Sequence, residues 1–155
     1  MQGNAGGAFF SGEIRANLEI GNVSDVLANK MKAEYGVDLS HYRHVLNDND
    51  IRHIFNRHGP HTKEKYPITE NDLKGIPRII KNANEVYFVA RLDGKKGIYY
   101  EYRHNGVTYY LEQVADSNQT LQNKQMIKVA SGTVPDIAGL KNAIVQKKKR
   151  SPRSE

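Results

Sequence analysis

The chain has 155 residues, with 23 Lys plus Arg against 17 Asp plus Glu, six His, and neither Cys nor Trp. The length fits one domain with a real core, the lack of Cys excludes a disulfide framework, a thiolate zinc finger and a Cys nucleophile, and no apolar run approaches the roughly 20 residues of a membrane span, so no membrane partner is expected. The formal charge of +6 points to an acidic partner such as nucleic acid, yet Lys141, Lys147, Lys148, Lys149, Arg150 and Arg153 crowd residues 141–155 against Glu155 alone, and the rest of the chain is nearly neutral.

The opening MQGNAGGAFFSG, with Gly3, Gly6, Gly7 and Gly12, reads as a flexible lead-in without the basic and apolar regions of a signal peptide. A helix is expected over 23–35, with Asn22 as N-cap, an apolar stripe of Val23, Val26, Leu27 and Met31, and Gly36 at its end. A second helix starts at the cap Asn47, with Asp50 at N3 and Leu46 and Ile51 at staple spacing, and stops at Gly59-Pro60. A third repeats this grammar with Thr69, Asp72, Ile68 and Leu73, and Pro77 predicts a break before Arg78.

Strand periodicity then takes over. Residues 85–92, the turn 93–97, residues 98–104, the dipeptide Asn105-Gly106 and residues 107–115 make successive hairpins. A fourth strand covers about 121–130 after the turn 116–119. Ile137, Leu140 and Ile144 form a last periodic piece that runs into Lys147-Lys148-Lys149-Arg150, a solvated end or an RNA arm. Helices followed by a four-strand meander predict an α+β fold, with N-terminal helices packed on one face of a four-stranded antiparallel sheet. The expected division is a lead-in plus N-terminal helix at 1–40, the domain proper at 41–140 and a basic tail at 141–155.

A two-residue Asn-Gly turn fixes the register: 104 opposite 107, 102 opposite 109, 100 opposite 111. One face then carries Ile98, Tyr100, Tyr102, Tyr109 and Leu111 toward the helices. The other carries Tyr99, Glu101 and Arg103 opposite Glu112, Tyr110 and Thr108. With Val86, Phe88, Ala90 and Leu92 inward, Tyr87 and Arg91 join this second face, and with Ile127 and Val129 inward, so do Lys124 and Lys128. Cations interleaved with tyrosines suit a single-stranded nucleic acid, since phosphates pair with the charges and bases stack on the rings. The plainer alternative is a solvated sheet face.

Five of the six histidines lie between 41 and 61: His41, His44, His53, His58 and His61. Two placed imidazoles can serve as acid and base in cleaving an RNA phosphodiester. His53 and His58 differ by roughly 140° around a regular helix, but His58 falls where Gly59-Pro60 ends the helix and can turn toward a cleft. Zinc is the rival chemistry for the histidines, although HExxH is absent and no Cys is present. His41, His44 and His61 read as exposed loop residues, and His104 as a structural neighbour of the Asn105-Gly106 turn.

The stretches NDNDIRHIFNRHG (47–59), PITENDLKGIPRIIKNANEV (67–86) and IYYEYRHNGVTYYLEQV (98–114) resemble the phage-type branch of the barnase–EndoU–colicin–RelE-like nucleases over roughly residues 41–130. The resemblance implies a small, metal-independent endoribonuclease without cofactor, in which the RNA 2′-OH attacks the adjacent phosphorus and leaves a 2′,3′-cyclic phosphate. It places the helix histidines at His53 and His58, the strand basic residues at Arg103 and Lys128, and a carboxylate at Glu112. In the roles that follow, His53 or His58 is base or acid, Arg103 and Lys128 stabilise the phosphorane, and Glu112 orients a His or Arg. Tyr99 or Tyr110 stacks a base on the face that also carries Arg91 and Lys124. Where the family commonly shows Thr-Met-x-Lys, this chain reads Gln125-Met126-Ile127-Lys128, so Gln125 stands at the hydroxyl position and Ser131 or Thr133 is left to supply one. The resemblance also implies a toxin or effector acting in the cytoplasm after delivery as part of a larger secreted or phage-encoded protein, with RNA (tRNA among the candidates) as substrate and an immunity protein or antitoxin as partner. A non-catalytic RNA-binding or protein-interaction module is the alternative.

Overall fold

The computed structural model describes residues 17–150, so the Gly-rich start and residues 151–155 lie outside the described part. The elements run β1 (Asn17–Asn22), α1 (Asp25–Tyr35), β2 (Arg43–Asn47), α2 (Asp48–His58), α3 (Glu70–Lys74), α4 (Ile76–Asn82), β3 (Glu85–Ala90), β4 (Lys96–His104), β5 (Val107–Ala115), β6 (Thr120–Ala130) and α5 (Leu140–Arg150). Among the described residues no helix is long and apolar enough to cross a membrane.

The local start and stop signals act where the sequence puts them. Asn47 accepts from the N–H groups of Asn49 and Asp50 to open α2, and Thr69 forms a reciprocal capping box with Asp72 to open α3. The break before Arg78 falls at Gly75, with Pro77 in the first turn of α4. The first helix differs: Asn22 ends β1, and Ser24 is the cap, accepting from Leu27 N–H at 3.1 Å.

The α+β class holds, but the sheet has six strands and is mixed, not four and antiparallel. Its order is β1-β2-β6-β5-β4-β3, antiparallel at every pairing except β2–β6. The extra strands escape the sequence because β2 is five residues long and pairs in parallel with β6, far along the chain, so no hairpin turn announces it. The β4–β5 register is the one that Asn105-Gly106 dictates, with both turn residues at positive φ.

Alternation fails on β6 for a specific reason. Glu112 pairs with Gln125 but Gln113 pairs with Asn123, so Lys124 is an extra residue in a β-bulge. Leu121 belongs to the main core before the bulge and Met126 after it, so the parity changes. Ile127 and Val129 therefore face the second side, and Lys128 the first. At the end of β3, Ala90 is exposed and Leu92 lies in the turn, so neither faces inward.

The first face of the sheet shares a core with Met31 of α1, Ile51 and Ile54 of α2, Leu73 of α3, and Ile76 and Ile79 of α4. The second face is not open. Leu140 and Ile144 of α5 pack on Tyr87, Val89, Tyr99 and Tyr110. Residues 141–150, read from the sequence as a basic end, are helical and docked, because Ile137, Leu140 and Ile144 recur at helical spacing and Lys, Arg and Gln favour a helix. Lys147 fastens the helix: its ammonium lies 3.1 Å from Glu34, 2.8 Å from Glu85 and 5.1 Å from the centre of the Tyr87 ring. Gly139 allows the approach, since a Cβ there would sit 2.5 Å from Val89 Cγ1.

His44 is likewise corrected from exposed loop to buried strand residue. It lies in β2, with Nδ1 3.1 Å from Gln113 Oε1, which also accepts from Tyr100 Oη at 2.6 Å. Gln113 donates on to Asn123 and Asn123 to the Val45 carbonyl, so this buried chain of polar groups ties β2, β4, β5 and β6 together.

Candidate active site

β2 pairs with only the first residues of β6, after which the chain turns into α2, and α2 packs along the remainder of β6. The helix thus stands at the sheet margin and faces the turn between β3 and β4 across a cleft of about 510 Å3. His53, Arg57 and His58 of α2 line it, opposite Arg91, Asp93 and Lys95, with Glu112, Lys124 and Gln125 in its floor.

The two histidines reach the cleft by different routes. His53 and Arg57 are four residues apart on one exposed helix face. His58 is the last residue of α2, and Gly59 leaves helical geometry in an extended conformation. A Cβ on Gly59 would collide with the Phe55 carbonyl. The chain after Gly59 folds back on the helix end: Thr62 donates through N–H and Oγ1 to the Gly59 carbonyl, and Ile68 N–H donates to the His58 carbonyl at 2.6 Å. This return sets Glu64 Oε2 2.5 Å from His58 Nδ1. In a neutral imidazole a carboxylate at Nδ1 favours the tautomer with the proton on that nitrogen and makes Nε2 the acceptor, and Nε2 has no protein partner among the described residues.

Charges across the cleft are partly matched. The Arg91 guanidinium binds Glu112 at 2.6 Å and Asp93 at 3.0 Å, and these carboxylates, Asp93 foremost, push it further above its already high value. The same pairing holds Asp93 below the usual carboxylate range. Tyr99 donates to Glu112 at 2.8 Å, and burial followed by that negative charge raises the phenol, which stays a neutral donor. Lys124 pairs with Asp50 at 3.0 Å. Arg57 and Lys95 form no ion pair among the described residues. An incoming anion therefore meets two cations outside any ion pair, beside two imidazoles.

Of the residues singled out from the sequence, His53, His58, Arg91, Glu112, Lys124 and Gln125 come together here. Arg103 does not. It pairs with Glu101 and lines a separate cavity of about 310 Å3 with Tyr110 and Thr133. Lys128 lies on the other side of the sheet, 2.6 Å from Asp72 and over the Tyr109 ring. Asp72 feels a rise from burial, outweighed by its bonds from Lys128, Thr69 N–H and Tyr109, and ends below the usual range. Tyr99 and Tyr110 are buried under α5 and offer no open ring to a base; burial and Glu101 push Tyr110 up to about 12. Ser131 is exposed in the turn after β6, its Oγ 3.2 Å from Thr108 Oγ1.

Sequence reasoning missed Glu64, Arg57 and Lys95. Arg57 carried a usable signal in its i, i+4 relation to His53. Glu64 and Lys95 carried none, because their places depend on how the 59–67 and 91–96 turns fold. Among the described residues no group of three or more His, Asp or Glu is placed to hold a metal ion.

No curated protein and no solved structure matches the chain. Residues 21–133, from the end of β1 through β6, match the family described as phage-Barnase-EndoU-ColicinE5/D-RelE like nuclease3. That stretch contains both cleft histidines, the returning loop with Glu64 and the whole meander, and it ends before α5. The chain belongs to this family of phage-type barnase–EndoU–colicin–RelE-like nucleases.

Proposed function

We propose that the cleft between α2 and the β3–β4 turn is the active site of a metal-independent endoribonuclease. The observation that carries this reading is the Glu64–His58 pair, which presents a free Nε2 in a cleft shared with His53, Arg57 and Lys95. His58 Nε2 takes the proton of the RNA 2′-OH as its oxygen bonds to phosphorus. The bond from phosphorus to the 5′ oxygen breaks, His53 protonates that leaving oxygen, and the products are a 2′,3′-cyclic phosphate and a 5′-hydroxyl end. Arg57 and Lys95 stabilise the negative charge that builds on the phosphorane, with Arg91 held behind them by Glu112 and Asp93. Glu64 acts through His58 and is a positioning residue. A toxin or effector of this kind works in the cytoplasm of a target cell and requires an immunity protein or antitoxin where it is made.

One observation favours a second reading, a non-catalytic module that keeps the fold: Arg103 and Lys128 are spent on Glu101 and Asp72, away from the histidines. A single experiment separates the two. The protein is incubated with tRNA and with total RNA in EDTA, and the new ends are mapped. Cleavage that persists in EDTA, leaves cyclic phosphate ends and falls at least about a hundredfold in kcat in His53→Ala and His58→Ala is the expected result. Glu64→Gln lowers kcat roughly tenfold with KM unchanged, and Glu64→Asp recovers part of the loss. Binding without cleavage from about pH 5 to about pH 8 replaces the nuclease with the non-catalytic module.

A further inference from the structure

A second cavity of about 390 Å3 adjoins the cleft, and Arg91, Asp93, Glu112 and Gln125 belong to the walls of both. We propose that this cavity, with the Gln125 amide at its junction with the cleft, is the subsite for the nucleobase next to the scissile phosphate, and that it prefers adenine. The proposal rests on the ribonuclease reading and supplies its base specificity.

Three observations converge. The first is the character of the walls. Apart from the shared residues, Val89, Leu92, Ile137 and Gly139 make the cavity largely apolar. Arg91, the cation within reach, is already engaged by Asp93 and Glu112. Phosphate is therefore better served by Arg57 and Lys95 in the cleft, and this side suits the face of an aromatic ring. The second is Leu92, whose exposure of 101% leaves its whole side chain in water at the cavity mouth. It contributes nothing to the core, and a base seated in the cavity would cover it.

The third observation is Gln125 itself. Gln113 is bonded to His44, Tyr100 and Asn123, and Gln122 to Asp116 and Thr120. The half-buried Gln125 has no side-chain hydrogen bond to any described residue. A carboxamide presents one acceptor and two donors side by side, the complement of adenine N6 and N7. A hydroxyl at this position would offer no such bidentate edge.

The test uses the full chain and single-stranded RNA oligonucleotides carrying each of the four bases on either side of one cleavable bond. The expected result is a preference for adenine at one flanking position of at least about fivefold in kcat/KM. Gln125→Ala reduces that ratio toward one. Gln125→Glu moves it toward cytosine, whose N4 amino group donates to a carboxylate. Cleavage with the same base distribution in wild type, Gln125→Ala and Gln125→Glu overturns the subsite and leaves the nuclease standing. In parallel, the four nucleoside 3′-monophosphates are titrated while the Gln125 side-chain amide is followed by NMR. A shift largest with the adenine nucleotide, in a protein that cleaves no RNA, retains the subsite and removes the nuclease. An amide unmoved by all four nucleotides overturns the subsite whatever the cleavage result.

Discussion

Burial sorts the histidines of this chain into separate jobs. His53 is exposed on α2, His58 is held at a helix end by Glu64, and His44 is enclosed in the sheet. For His44, burial lowers the pKa and the Gln113 hydrogen bond opposes that only in part. The linkage follows directly. Below the ordinary value of 6.5 the unfolded chain takes up a proton that the folded chain resists, so the contribution is fully present above 6.5 and is lost as pH falls toward the lowered folded value. We therefore expect the Tm gap between wild type and His44→Gln to narrow between about pH 7.5 and about pH 5.5, because the variant lacks this loss while the other histidines affect both proteins alike. Thermal melts at several pH values measure it. A gap independent of pH would mean that the strand position, and not the imidazole charge, sets the difference.

At the level of elements, what was legible in the sequence is what a few adjacent residues decide. The caps at Asn47 and Thr69 and the Asn105-Gly106 hairpin rest on hydrogen bonds or dihedral angles within three or four residues, and each occurs where the pattern puts it. The cleft histidines were legible for the same reason, since both sit on one well-capped helix. The parallel β2–β6 pairing, the docking of α5 and the place of Glu64 depend on distant partners that no local pattern encodes. The bulge at Lys124 belongs between these classes: alternation is a local rule, and one inserted residue reverses it. Deleting Lys124 would remove the extra residue and leave Met126 opposite Leu111 and Ile127 opposite Tyr110, with the two faces of β6 as they are but without the local bend. We expect this deletion to fold cooperatively, whereas a residue inserted between Gln125 and Met126 would turn Met126 to the second face and abolish cooperative folding. Lys124→Ala leaves the mostly buried Asp50 carboxylate without its partner and is expected to cost about 1–3 kcal/mol. Circular dichroism and urea unfolding of these variants provide the comparison, and an unfolded deletion variant would show that the bend at the bulge is itself needed to place β6.

Considered as a whole molecule, the chain is a nuclease fold whose second sheet face is closed by a helix from outside the family-matched stretch. Tyr87, Val89, Tyr99 and Tyr110 make that face too apolar to leave in water, and the only described helix packed on it is α5. The basic end thus has two separable properties. Its apolar stripe, Leu140 and Ile144, belongs to the core, while Lys148 and Lys149 are exposed and carry much of the net charge. A mainly structural helix and a mainly RNA-binding arm lead to opposite results. In the first case Leu140→Ala costs roughly 3 kcal/mol in urea unfolding, since a fully buried Leu is lost with limited room to collapse. The Lys148→Ala, Lys149→Ala double variant then unfolds like the wild type and retains the salt dependence of RNA binding. In the second, Leu140→Ala is nearly silent in stability and the double lysine variant flattens the salt dependence. The packing of Leu140 against the tyrosine face, with Lys147 bridging Glu34 and Glu85, leads us to expect the first pattern.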